Sequence, residues 1–416
     1  PRFAEAISLI PFKIITTITN NYHQFAKTCR SQDYNDLRQK HISVKVLEPF
    51  LSCLKSIRKD DPIPELTYKI ISDNVLILTR HATTIGMYAP GKQIFSVAKS
   101  LVRKGKNVHV VSYGDVDDTF VKLMKENSNF KVLKGIGDSD DTSQFHWLRD
   151  KINKFKPAAI FTEIEVSILV SIEICKLPSP IFLISAGFYR VPWYSGILVT
   201  QELEKQIGNS KINKPIYNIP QTHEPENLAP YCDPTILAKT KAELDISDKF
   251  VIACFARYEL FSDDFLLLAR TLLENVPNSV LILAGSNAKL SAEGFLHDFI
   301  ANGRVKLLGV CDISVLGYCC DVFLDTFPIP TGFAALESMA KGKPVFSLDC
   351  EFLKFYDVSR VKRLIFKSPE QLITSVCKAE KNKIFYDQIS MESTEFVEGN
   401  FYNLNKLSDA LIKVIN

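Results

Sequence analysis

From Asn74 onward, short apolar runs alternate with longer stretches whose apolar residues recur at helical spacing. NVLILT reads as a buried strand, Pro90 to Lys104 as an amphipathic helix, NVHVVSY as a strand and DDTFVKLMKEN as a helix. FKVLKGI, a helix through Trp147 to Phe155, the strand AAIFTEI, a helix through Ile174 and the strand PIFLIS continue the rhythm. Strand, helix, strand in this order predicts a doubly wound parallel sheet with ligands beyond the carboxyl ends of its strands. A second series begins at FVIACF and runs through a helix from Asp263 to Glu274, a strand from Ser279 to Ala284, a helix through Ile300, the strand VKLLGV and a helix from Ile313 to Cys319. The expected class is therefore α/β with two such sheets.

The flanks read differently. Residues 1–65 carry apolar positions at helical spacing and are expected to form a helical extension, which either binds an acceptor protein or braces the next domain. Residues 191–246 are Pro-rich and read as irregular, an interdomain connection with the boundary near 200 to 215. The expected order is a first Rossmann-like domain over 66–210, a connecting segment over 211–246, a second Rossmann-like domain over 247–400, and a terminal helix over 401–416, where LNKLSDALIKVI is amphipathic.

Composition narrows the function classes. A chain of 416 residues suits two domains that each bury a core. Apolar content of 46%, charge of 23% and no long uninterrupted apolar run describe a globular protein without an integral membrane segment. A net charge of +3 leaves no footprint of nucleic-acid binding. The basic cluster KSLVRKGK, Lys99 to Lys106, reads as a solvated helix face and exit turn, with a contact to an anionic membrane as the alternative. The 10 cysteines lack CxxC pairing and many lie in apolar runs, which points to reduced, packed thiols in the cytoplasm. The seven histidines show no metal-ligand spacing, so no metal is expected. No signal peptide is visible, but the chain starts at Pro1, so an upstream segment stays open.

The most informative stretch is DVFLDTFPIPTGFAALESMAKGKPVFSL, Asp321 to Leu348. It reads as a strand, a Pro-containing loop, a helix from Gly332 to Ala340 stopped by Gly342-Lys343-Pro344, and a second strand. Backbone N–H groups of Thr331, Gly332, Phe333 and Ala334 at the helix start suit a diphosphate, and Glu337 lies further along the helix, within reach of ribose hydroxyls. The alternative is an ordinary crossover, with Thr331 a plain cap and Glu337 a solvated residue. At the end of the first strand, His81 could act as a general base or be a surface or capping residue. Glu163 and Glu165, at the end of AAIFTEIE, could orient an acceptor group or be solvated loop residues.

Leu324-Asp325-Thr326, Thr331 to Ala334, Glu337 and Gly342-Lys343-Pro344 together resemble the nucleotide-sugar loop of GT-B glycosyltransferases. The spacing is most similar to that of O-linked N-acetylglucosamine transferases and bacterial adhesin-modifying N-glucosyltransferases. The resemblance implies two Rossmann-like domains facing a cleft, pyrophosphate held at Thr331 to Ala334, ribose at Glu337, and the base read by the backbone of Val310 and Cys311. It also implies that Arg257, just after the first strand of the second domain, neutralises the diphosphate; an ion pair with Glu259 is the alternative. Pro180 to Gly187 would form a wall of the sugar pocket. The sequence departs from the family where a Gly-His-Thr-Thr-like cluster is replaced by Thr-Gly-Phe-Ala, where the family's lysine is Leu260, and where the histidine that the transferases carry at their helix start falls nearer Tyr88 than His81. It departs from the retaining enzymes at Ile329, the position of their second glutamate.

The function implied is a metal-independent hexosyltransferase with a UDP-hexose donor, no separate cofactor, inversion, and a protein side chain or glycan as acceptor, with a partner glycosyltransferase subunit allowed. The alternatives are a retaining transferase acting on glycan or lipid, and a catalytically idle module that binds a partner protein.

Overall fold

The structure, a computed structural model, describes residues 66–84, 89–135, 141–163, 177–184, 195–199, 215–257, 260–285, 288–350, 353, 361 and 364–416. The expected helical extension over 1–65, the helix through Ile174, Glu165, the loop after PIFLIS and Glu259 lie outside the described residues.

In chain order, β1 (Ile71–Thr79), α1 (Ala89–Arg103), β2 (Asn107–Ser112), α2 (Asp118–Glu126), β3 (Phe130–Lys134), α3 (Asp141–Phe155), β4 (Pro157–Thr162), β5 (Ile181–Ile184), β6 (Gly196–Val199) and β7 (Ile216–Asn218) come first. Then follow α4 (Pro225–Leu228), α5 (Pro234–Glu243), β8 (Phe250–Phe255), α6 (Asp263–Asn275), β9 (Ser279–Ala284), α7 (Ala288–Ala301), β10 (Val305–Leu308), α8 (Ile313–Cys319), β11 (Val322–Leu324), α9 (Phe333–Ala340), β12 (Val345–Leu348), β13 (Ile365–Phe366), α10 (Pro369–Lys381) and α11 (Lys383–Phe401). The last element is α12 (Leu404–Ile415).

The chain divides into two compact units. Among the described residues, one gathers 66–84 and Pro90–Gln221 together with Leu404–Asn416, and the other holds Ala89 and Thr222–Asn403. In the first unit the sheet order is β3-β2-β1-β4-β5-β6-β7, and in the second it is β10-β9-β8-β11-β12-β13. Each pairing in both sheets is parallel. Parallel strands are covered on both faces, which is why β1, β8 and β9 read as continuous apolar runs and why Val75 to Leu78 and Val251 to Phe255 are buried. Both orders reverse direction beside their first strand, at β1/β4 and at β8/β11. These reversals are the topological switch points where α/β sheets leave a crevice.

Helix starts follow the sequence. Asp117 caps α2 through the Phe120 N–H, Ser262 caps α6 through Phe265, and Ser368 caps α10 through Gln371. Asp263 and Asp264 in the first turn of α6 complement its macrodipole.

The stretch 191–246 is not irregular throughout. β6 and β7 extend the first sheet by two strands, and α4 and α5 precede the second sheet. GILV and IYN are too short to show a period and sit among Pro, Gly and polar residues, so the turn signals around them dominated the reading. Because those strands hold the chain to the first sheet, the units separate between Gln221 and Thr222.

Helix α12 packs into the core of the first unit. Leu404, Leu407 and Leu411 join Ile94, Ala98 and Leu101 of α1, the Ser408 hydroxyl donates to the Ser100 carbonyl at 3.1 Å, and Lys104 lies 2.6 Å from Asp409. Leu411→Ala should therefore lower the unfolding free energy by about 2–5 kcal/mol. Urea denaturation checks this, and a far smaller loss would mean the helix is not packed.

His109 on β2 stacks on Phe155, the ring centroids 3.7 Å apart. Burial, with the charge of Lys131 second, pushes its imidazole down from 6.5 to about 4. The folded protein thus resists a proton that the unfolded chain accepts, so this group costs nothing above its unfolded value and destabilises progressively as pH falls toward the folded one. In His109→Phe the loss of stability between neutral pH and about pH 4 should be shallower than in the wild type, as measured by urea melts across that range.

Candidate functional site

At the switch point of the first sheet, β4 meets β1 in the register Leu78 to Thr162. Glu163 is the first residue beyond β4 and is 6% exposed. Its carboxylate accepts the Thr79 hydroxyl at 2.6 Å and the Arg80 backbone N–H, and its own N–H donates to the Leu78 carbonyl at 3.3 Å. Glu163 is therefore no solvated loop glutamate; it ties the ends of the two strands that border the crevice.

The loop that follows β1 is fixed to the loop after β2. The Ala82 N–H donates to the Asp115 carbonyl at 2.8 Å and the Asp117 N–H to the Ala82 carbonyl at 2.9 Å. Asp117 also accepts the hydroxyls of Thr83 and Thr84 at 3.1 and 2.9 Å. His81 sits in this loop with Nδ1 accepting the Asp115 N–H at 3.1 Å, and its ring lies so close to Gly114 that a Cβ there would come within 2.3 Å. The same Nδ1 lies 3.5 Å from the Asp115 carboxylate. Arg80, beside it, is exposed.

At the switch point of the second sheet, β8 ends at Phe255 and β11 at Leu324, paired side by side. Arg257 is exposed just past β8. Ser262 connects the two bordering loops: while capping α6 it donates its hydroxyl to the Phe327 carbonyl at 2.7 Å. The β8 and β9 ends also approach closely, because a Cβ on Gly285 would stand 1.7 Å from the Ala256 carbonyl oxygen and its φ is +151°. Only glycine fits there.

The loop after β11 is closed by Asp325, which is 1% exposed. One of its oxygens accepts the Thr326 N–H at 3.0 Å and the Thr331 N–H and hydroxyl, both at 2.8 Å. The other accepts the Ser347 hydroxyl of β12 at 3.1 Å. Burial raises the Asp325 pKa, and the bonds from Thr331, Ser347 and Thr326 counter that rise. Thr331 is thus neither a cap nor a donor to an outside anion, because its N–H and hydroxyl are both held by Asp325. Gly332 instead stands at the N-cap of α9 with φ +67° and ψ −99°, and the first turn of α9 carries no acidic residue. The N–H groups of Gly332 and Ala334 belong to the turn that has no acceptor inside a helix.

Glu337, in the middle of α9, is 2% exposed rather than solvated. The ends of α9 are fixed by the segment before α5. The His223 ring stands edge-on to Phe333 with centroids 5.0 Å apart, and Lys341 donates to the Leu228 carbonyl at 2.7 Å. At the rim of β10, Val310 is 71% exposed and Cys311 half-buried. Strands spaced about 4.8 Å apart put that rim roughly 14 Å from β11, across β9 and β8.

Arg257, Val310, Cys311, Gly332, Phe333 and Ala334 therefore follow the carboxyl ends of strands in one sheet, with Glu337 further along α9, and His81 and Glu163 follow those of the other. Sequence reasoning placed Asp325 in the resembling motif without giving it a role, and singled out neither Ser262 nor His223. An acid directly after an apolar strand and before a Pro-rich loop was the available signal for Asp325, whereas His223 sits in a stretch read as a connection. Among the described residues no group of three or more His, Cys, Asp or Glu is placed to hold a metal ion, and no helix is long and apolar enough to cross a membrane.

Several solved structures share this architecture. A glycosyltransferase from Rickettsia africae ESF-5 matches with a TM-score of 0.62 at 15% identity, over 84% of this chain and 98% of its own. Anabaena HepE in complex with UDP and glucose matches with a TM-score of 0.58 at 14% identity, over 82% and 99%. The O-GlcNAc transferase of Thermobaculum terrenum matches with a TM-score of 0.59 at 13% identity, over 91% and 74%. The fold is GT-B. No protein-family model matches the chain, and no curated protein matches its sequence.

Replacing Glu163 with Ala would leave the Thr79 hydroxyl and the Arg80 N–H without this acceptor, a loss of about 1–3 kcal/mol. Glu163→Gln keeps an acceptor oxygen and should lose clearly less. Thermal melts of the two variants check this, and equal losses would mean that charge, not acceptance, is what matters.

Proposed function

We propose that this protein is a glycosyltransferase that takes a sugar from a nucleoside-diphosphate donor, a UDP-hexose, bound at the switch point of the second sheet. The observation that carries the reading is the glycine-capped start of α9, free of acidic residues in its first turn, on the same crevice as the exposed Arg257. In this reading the Gly332 and Ala334 N–H groups and the positive end of the helix dipole take the diphosphate, with Phe333 in the same turn. Arg257 adds a planar cation suited to phosphate oxygens. Glu337 takes the ribose, and the backbone at Val310 and Cys311 takes the base. Complexes of HepE with UDP and with UDP-glucose support the choice of nucleotide.

Fixed donors of this kind stabilise charge as the diphosphate leaves, in place of a divalent metal. The crevice of the first sheet, with Glu163 and His81 at its rim, takes the acceptor, a protein side chain or a glycan. A partner glycosyltransferase subunit and a cytoplasmic setting complete the proposal. The second reading is a module that binds the donor without turnover. It is favoured by the apolar Phe333, Ala334 and Leu260, which stand where the resembling transferases carry polar side chains and a lysine.

Calorimetric titration of UDP and GDP into the wild type and Arg257→Ala tests the donor site. UDP should bind, the variant should bind about tenfold or more weakly because one charge-assisted contact is lost, and EDTA should change neither. Absence of binding by either nucleotide sinks the donor reading. Binding without hydrolysis or transfer of the sugar from UDP-glucose or UDP-N-acetylglucosamine moves the idle module to the front.

A further inference from the structure

We propose that Asp325 is the positioning residue of the diphosphate cradle and acts through acceptor geometry rather than through charge, an inference that rests on the donor reading for its ligand. A fully buried carboxylate must be compensated where it lies. Among the described residues no cation contacts Asp325; its partners are the Thr326 N–H, the Thr331 N–H and hydroxyl, and the Ser347 hydroxyl. Three of these four bonds return from the loop that Asp325 itself begins, and they close residues 325–331 onto one oxygen. The Thr326 hydroxyl tightens the closure by donating to the Ile329 carbonyl at 2.7 Å.

The chain leaving that closure enters Gly332 at φ +67°, a conformation available to glycine, and starts α9 there. The direction of the helix start, and so of the N–H groups that would meet a phosphate, is set by where Thr331 is held. Ser347 reaches the second oxygen from β12, and that oxygen holds none of the loop donors.

An unmasked carboxylate in this place would repel a diphosphate. Asp325 instead turns both oxygens to donors of its own chain. An asparagine could reproduce the pattern: its carbonyl oxygen keeps the three loop donors, and its amide donates to the Ser347 hydroxyl, which can accept. Alanine could not, and would leave three loop donors without an acceptor.

The test titrates UDP into wild type, Asp325→Asn, Asp325→Ala, Thr331→Val and Ser347→Ala, with thermal melts and hydrogen exchange of peptides covering 326–334 on each. UDP affinity should fall about tenfold or more in Asp325→Ala and about threefold in Thr331→Val, and stay within about threefold of wild type in Asp325→Asn. Ser347→Ala should lower the Tm while leaving UDP affinity within about twofold, the split that a merely structural role would not give. Exchange over 326–334 should quicken in Asp325→Ala and remain slow in Asp325→Asn. Equal damage from Asn and Ala, or a loss of affinity in Ser347→Ala that tracks its Tm, overturns the proposal. If Asp325→Ala does not fold, Thr331→Val decides, and unchanged affinity and exchange in it overturn the proposal. If the wild type binds no nucleotide the donor reading has failed, and the exchange measurement still judges Asp325: unchanged exchange in Asp325→Ala counts against it.

Discussion

A parallel strand has to be buried on both faces, and that requirement organises this chain. Strands cannot be joined by tight hairpins when they run the same way, so each must be followed by a crossover that returns over the sheet. Where the order turns back, neighbouring loops leave in opposite directions and open a crevice. The chain does this twice, beside β1 and beside β8. The strand interiors are apolar because both faces are covered, and the chemistry is displaced to the carboxyl rims.

Opening a crevice between two strand ends removes the next rung of the ladder, and each unit compensates with a buried carboxylate. Glu163 accepts a backbone N–H and a hydroxyl from the end of β1, and Asp325 accepts two N–H groups and a hydroxyl from the loop after β11 together with a hydroxyl from β12. A carboxylate offers about four acceptor sites in a small volume, which suits a place where several donors converge without a strand partner. Both acids thus have structural work within the chain. Exposed Arg80 lies just past β1, exposed Arg257 just past β8, and the start of α9 follows the loop after β11.

The start of α9 shows how little side-chain chemistry an anion site of this type needs. Glycine at its cap, no acid in its first turn and a loop closed behind it leave the backbone dipoles as the main attraction. Aromatic packing of His223 on Phe333, and the Lys341 bond to Leu228, hold the helix against motion at its two ends. Groups fixed before the ligand arrives do not have to be ordered when it binds.

The sequence by itself determined the periodic parts: the strand and helix series from Asn74 onward among the described residues, the α/β class, and the β-loop-α-β unit from Asp321 to Leu348, because apolar period and Pro/Gly punctuation are local signals. The positions of Arg257 and Val310 just past β8 and β10 followed from the same strand ends. Tertiary structure alone decided which polar groups are turned inward. Thr331 read as an anion ligand or a plain cap, whereas Asp325, six residues earlier, holds it; Glu163 read as an acceptor-orienting or a solvated residue, whereas its carboxylate accepts from Thr79 and Arg80. The short strands β6 and β7 exist because a neighbouring strand offers them a ladder, not because four or three residues carry a period. Hydrogen-bond partners across 84 residues of chain leave no trace in local pattern, so their identity waits on the fold.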